Sequence, residues 1–128
     1  TFTCGVPTIW MMLHKYLESG GEYDFSKLHA VYSGGSAMPR HLMEEMAKKY
    51  NFNIVQAYGM TETSPLATAA IPKSYMAGYS GKELYDVKTT AGMVVPCLDM
   101  LVKSLDTGEE VAWNGAEMAV QAGRVPGK

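Results

Sequence analysis

The sequence predicts an α/β fold, a parallel βαβ unit followed by antiparallel strands. Two short apolar runs, "LHAVYS" and "FNIVQAY", flank an amphipathic helical pattern. Strand, helix, strand in that order makes the two strands parallel neighbours. Both runs are almost wholly apolar, as in a sheet covered on both faces. Beyond residue 90 the pattern becomes short runs split by turn signals, which is antiparallel chemistry.

In chain order, "VPTIWMMLHKYLESGG" reads as the first helix. Pro7 suits its first turn, Ile9, Trp10, Leu13, Tyr16 and Leu17 recur on one face, and Gly20 and Gly21 end it. Residues 28–32 form the first predicted strand, running into Gly34 and Gly35. Pro39 opens a second helix over 39–50, with Leu42, Met43, Met46, Ala47 and Tyr50 as its buried stripe. Glu44 and Glu45 precede Lys48 and Lys49, as pairing one turn apart favours. Residues 53–57 form the second strand. The polar, glycine-punctuated stretch "KSYMAGYSGKELYDVKTT" reads as a connection with one helical turn. "MLVKS" and "EMAVQA" follow as strands, with turn signals at Asp106-Thr107-Gly108 and Asn114-Gly115. This organisation places an α/β subdomain in 1–90 and the start of a β-rich one in 91–128.

At 128 residues the chain is one ordinary domain or a piece of a larger one. Its 47% hydrophobic and 19% charged residues can fill a core, which excludes a disordered chain. A net charge of −2, with no basic run, gives no reason to expect nucleic acid. No apolar run is long enough for a bilayer, and no secretory signal pattern is present; a cytoplasmic location is expected. Ten methionines occur but none at position 1, so an excised segment of a longer protein is expected. Cys4 and Cys97 have no partner spacing and read as two reduced, buried thiols. His14, His29 and His41 sit in no metal motif and read as structural or solvated.

The chemistry concentrates in two loops, "SGGSAMP" and "YGMTETSP", which leave the carboxyl ends of the two predicted parallel strands. That edge of an open α/β sheet is where ligands bind. Gly34 and Gly35 let backbone approach a flat ligand, and Tyr58 can stack on a ring. The Thr61 hydroxyl can donate to a phosphate oxygen, and Glu62 offers a hard anionic oxygen suited to Mg²⁺. Taken singly, each has a plainer reading. A Gly-Gly between strand and helix is usually a turn, a tyrosine usually core, and a lone glutamate usually solvated. "SGGSAMP" matches neither the Walker A nor the dinucleotide pattern.

The combination is more specific. "YSGGSAMP" followed about twenty residues later by "YGMTETSP" resembles two core motifs of the adenylate-forming (AMP-binding) superfamily. That superfamily comprises acyl- and aryl-CoA synthetases, peptide-synthetase adenylation domains and firefly luciferase. "GVPTIW" upstream and "AGMVVPCLDMLVKS" with "GEEVAWNG" downstream are similar to it as well, most of all to bacterial or archaeal medium- and long-chain fatty-acid–CoA ligases. The resemblance is weakest over residues 71–90.

The resemblance implies the large N-terminal domain of such an enzyme and a two-step reaction. A carboxylic acid, here a fatty acid, attacks ATP to give an acyl-adenylate and pyrophosphate; CoA then displaces AMP. The implied nucleotide-binding residues are Gly34, Gly35 and Ser36 in the first loop, and Ala57, Tyr58, Gly59, Met60 and Thr61 in the second. Thr61 and Glu62 are the implied catalytic pair, with Glu62 as the Mg²⁺ ligand. The superfamily's serine/threonine/glycine-rich phosphate loop, its Tyr-x-Thr-Gly-Asp stretch and its lysine-bearing small domain have no counterpart in this sequence. The chain by itself is therefore expected not to turn over. Where relatives read Gly-Glu-Ile-Val-Val-Arg-Gly-Pro, this chain has "AEMAVQAGRVPG", which leaves the register of the last strand open. Strand edges and apolar faces freed from a parent point to self-association. The alternatives are another acid-activating enzyme of the superfamily, or a non-catalytic nucleotide-binding module.

Overall fold

A computed structural model of the chain describes residues 1–96, 98–104 and 107–111, together with the backbone of 121–125. The chain divides into two compact units, Thr1–Met93 and Val94–Lys128. A five-stranded sheet runs in the order β1-β2-β3-β4-β5. Strands β1 (Phe2–Gly5), β2 (Ala30–Ser33) and β3 (Ile54–Gly59) are parallel. Strand β4 (Leu66–Ala69) returns antiparallel to β3, and β5 (Met93–Val94) is last. Helix α1 (Pro7–Glu18) joins β1 to β2, and α2 (Arg40–Tyr50) joins β2 to β3. The expected βαβ unit is present, with Val31 opposite Ile54 and Ser33 opposite Gln56.

The core is assembled from Trp10 of α1, Leu42, Met43 and Met46 of α2, and Val31 and Ile54 of the sheet. Phe52 joins it, edge-on to Phe25 with centroids 4.8 Å apart. Pro39 caps α2 in an extended conformation, and left-handed Asn51 ends it. Helix α3 (Gly81–Lys88) is tied to α2 by Arg40, which donates to Glu44 at 2.7 Å and to Asp86 at 2.6 Å. Lys88 is buried and donates to Asn53 Oδ1 at 3.0 Å, and its burial pushes the ammonium pKa down.

Several sequence expectations need correction. The buried stripe of α1 is Trp10, His14 and Leu17, one position round from the expected face, so Ile9 and Tyr16 are exposed. Ala47 and Tyr50 of α2 are only half-buried. The first strand starts later than residue 28, because Leu28 N–H still closes a turn onto Phe25 O. Strands β1 and β4 escaped the sequence reading. In β1 neither Phe2 nor Cys4 is buried, so no apolar alternation marks it, and in β4 Leu66 is exposed while only the small Ala67, Thr68 and Ala69 are buried. Cys4 is exposed, not buried; Cys97 lies outside the described residues. The segment 73–90 holds a short 3₁₀ turn at Ser74–Met76 as well as the two-turn α3. Ser80 followed by Glu83 is the helix-start spacing that signals α3.

In the second unit, β6 (Asp99–Lys103) pairs antiparallel with β7 (Gln121–Val125). The predicted turn near Thr107-Gly108 forms: Gly108 N–H donates to Ser104 O, and Ser104 N–H to Glu109 O, both at 2.9 Å. Of the predicted strand "EMAVQA", Gln121 and Ala122 lie in β7. Residues 117–120, with Asp106, Asn114 and Gly115, lie outside the described residues.

Candidate functional site

The carboxyl ends of β2 and β3 are neighbours, so the loops that follow them meet. The first loop leaves Ser33, and Gly34 N–H donates back to Gly5 O at 3.1 Å. Gly35 then takes φ +82, a conformation that side-chain-bearing residues rarely adopt. A Cβ on Gly34 would sit 3.1 Å from Ala57 O, so the bare backbone here serves contact with β3 as much as with any ligand.

The second loop folds on itself. The β3–β4 register shifts between Tyr58 and Gly59, a break that bends the strand and re-aims its side chains. Gly59 lies under the returning chain, where a Cβ would collide with the Pro65 carbonyl. Thr61–Thr63 form a 3₁₀ turn. The buried Thr63 hydroxyl accepts from Met60 N–H at 3.0 Å and lies 2.9 Å from Met60 O and 2.8 Å from Pro65 O. With Thr63 turned inward as a brace, Thr61 and Glu62 are left exposed on the turn.

Two clefts flank the segment Ala57–Gly59. One, of about 320 Å³, is lined by Gly34, Gly35, Met60, Thr61, Pro65 and Leu66 besides that segment. The other, of about 300 Å³, lies between residues 35–37, Gln56–Gly59 and Ala91. Gly34, Gly35, Ser36, Ala57, Tyr58, Gly59, Met60 and Thr61 are thus brought together around the clefts. Glu62 lines neither cleft and sits on the turn beside Thr61. Its carboxylate is a hard oxygen donor beside a hydroxyl, a set that fits Mg²⁺ rather than a soft metal. Ala37, Gln56, Pro65, Leu66 and Ala91 also line the clefts and were missed. Gln56 alone carried a signal, as the one carboxamide inside "IVQAY".

Away from the loops, His14, Glu18 and Glu45 bring ligand-type atoms within 4.8 Å of one another across α1 and α2. Lys49 donates to Glu18 at 2.6 Å and lowers its carboxyl pKa, so the group reads as an ion-pair network.

Residues 1–124 match the family of AMP-binding enzymes. The chain belongs to that family. It is 37% identical over 102 residues to the long-chain-fatty-acid–CoA ligase of Thermus thermophilus, covering 80% of this chain and 18% of that protein. It is 32% identical over 88 residues to the medium-chain-fatty-acid–CoA ligase of Ectopseudomonas oleovorans, covering 69% of this chain and 16% of that one. The crystal structure of a long-chain-fatty-acid–CoA ligase from Archaeoglobus fulgidus superposes with a TM-score of 0.71 at 29% identity. That match covers 88% of this chain and 22% of the other. The chain therefore spans about a fifth of the length of the relatives it matches. Among the described residues, no helix of this AMP-binding chain is long and apolar enough to cross a membrane.

Proposed function

We propose that this chain is the nucleotide- and acid-binding heart of a fatty-acid–CoA ligase, which activates its acid with ATP and passes the acyl group to CoA. The carrying observation is the meeting of two loops, each at the end of a parallel strand, with Tyr58 and bare backbone lining a ring-sized slot, Thr61 lining the neighbouring cleft and Glu62 next to it on the turn. The fatty-acid–CoA ligases among its relatives support the choice of acid and thiol. Residues 1–90 supply all of this site except the Ala91 wall, and 91–128 begin a β-rich subdomain. The reading places the enzyme in the cytoplasm, where ATP and CoA are available.

In this reading the purine lies between residues 35–37 and Tyr58, and the cleft lined by Met60, Pro65 and Leu66 takes the apolar tail of the acid. The Thr61 hydroxyl, a neutral donor, holds a phosphate oxygen without adding repulsion. The Glu62 carboxylate would hold Mg²⁺, which when bound draws charge from the triphosphate as pyrophosphate leaves. Thr63 keeps the turn closed so that both stay presented. The rest of the machinery belongs to the remainder of the enzyme, so this chain alone should form no thioester.

Glu62→Gln in the intact ligase tests the assignment, because it keeps shape and removes charge. Adenylation should slow by about 10²-fold or more, whereas thioester formation from a presupplied acyl-adenylate should change little. Single-turnover rates of the two half-reactions measure this. An equal fall in both would mean that Glu62 supports the fold and not the metal.

A further inference from the structure

We infer that Gln56 is a positioning residue that sets the width of the nucleotide slot, an inference that rests on the ligase reading above. The residue is buried, 7% exposed, and both ends of its carboxamide are used. Oε1 accepts from Met38 N–H at 2.8 Å, and Nε2 faces Thr90 O at 3.2 Å and Thr89 O at 3.3 Å. The slot is walled by residues 35–37 on one side and Ala91 on another. Met38 follows directly on the first wall, and Thr90 directly precedes the second. One side chain therefore fixes both walls to the floor.

The floor is itself anchored, since the Gln56 carbonyl accepts from Ala70 N–H at 2.8 Å across to β4's end. Met38 is buried, so its N–H has no water to turn to, and an unmet donor there is costly. Glutamine suits the position because a donor and an acceptor at one end are both required. Glutamate supplies only the acceptor. A hydrocarbon of the same length supplies neither. Gln56 acts on the ligand through the backbone it holds, and the slot closes on a flat ring only while both walls stay in place.

The test uses the intact ligase and two variants. Gln56→Met removes both interactions at nearly constant volume; Gln56→Glu keeps the acceptor for Met38 and sets a carboxylate against two carbonyls. AMP affinity by calorimetry, and KM for ATP and for the acid, are measured on each. Gln56→Met should weaken AMP and raise KM for ATP about tenfold, and Gln56→Glu about threefold, with KM for the acid within about twofold of wild type. Unchanged nucleotide constants in both variants overturn the inference. So does an equal rise in the acid and ATP constants, which is what general loosening of the fold would give. Should Gln56→Met fail to fold, Gln56→Glu decides alone by the same criterion. The AMP measurement needs no acid, so a protein that binds AMP through Gln56 yet makes no thioester sinks the ligase reading and leaves the clamp standing.

Discussion

The two loops that flank the slot are held in opposite ways. The glycine loop after β2 is fastened from outside: Gly34 to Gly5, Met38 to Gln56, and Met38 Sδ to the Ser33 hydroxyl at 3.5 Å. The loop after β3 braces itself, through Thr63 to Met60 and Pro65 and through Ser64 N–H to Thr61 O at 3.2 Å. An externally fastened loop takes its geometry from the sheet and suits a passive wall. A self-braced loop carries its geometry with it and can present reactive groups at its tip. The difference separates the residues that shape the site from those that act in it.

The largest effect should come from breaking the self-braced loop at its closest approach. Gly59→Ala places a methyl group against the Pro65 carbonyl, and backbone cannot yield as a side-chain tip can. Stability should fall by about 3 kcal/mol or more, read as a drop in the midpoint of urea unfolding. A loss below about 1 kcal/mol would show that the loop floats and is not braced.

Next in size is a pair of substitutions inside the same turn. Thr63→Val removes a buried hydroxyl and leaves Met60 N–H unmet, at a cost of about 1–2 kcal/mol. Thr61→Val, on the exposed side, should leave stability within about 0.5 kcal/mol but slow adenylation about tenfold, as loss of a donor to a charged oxygen does. Equilibrium unfolding and single-turnover adenylation on both variants check the split. Equal behaviour of the two threonines would show that the turn has no separate bracing and acting sides.

That split marks where sequence reading stopped. "TETSP" shows four polar residues in a row, and nothing in their order says that Thr63 points inward while Thr61 and Glu62 point out. The decision is made by Pro65 returning over Gly59, a contact six residues apart that no periodicity records. The βαβ unit was legible because helices with regular apolar stripes and strands of Val, Ile and Tyr are written locally. Strand β1 was not, since Phe2 and Cys4 gain no burial from pairing, nor β4, whose alanines bury without a strong apolar signature. His14, expected to be structural or solvated, is buried on α1, where the stripe is one residue round from the expected face. The clustering of the two motifs was visible; the second cleft and Gln56's hold on its walls were not, because they depend on residues 38, 56 and 90 meeting in space.

The smallest effect is also the one whose sign tells most. Each loop contains one residue in the left-handed region. The first uses Gly35 at φ +82, and the second uses Ser64 at φ 55. For a residue with a Cβ that conformation costs roughly 1 kcal/mol, so Ser64→Gly removes a local strain. The same change adds freedom to the unfolded chain, which costs roughly 0.4–1 kcal/mol. The two nearly cancel, and the net should be a stabilisation of at most about 0.5 kcal/mol. It should appear as a small rise in the urea midpoint with the slope unchanged, since the surface exposed on unfolding is the same. A fall of about 1 kcal/mol or more would mean that the serine side chain is part of the brace, alongside Thr63. A small rise would mean that Thr63 and Gly59 hold the turn without help from the Ser64 side chain.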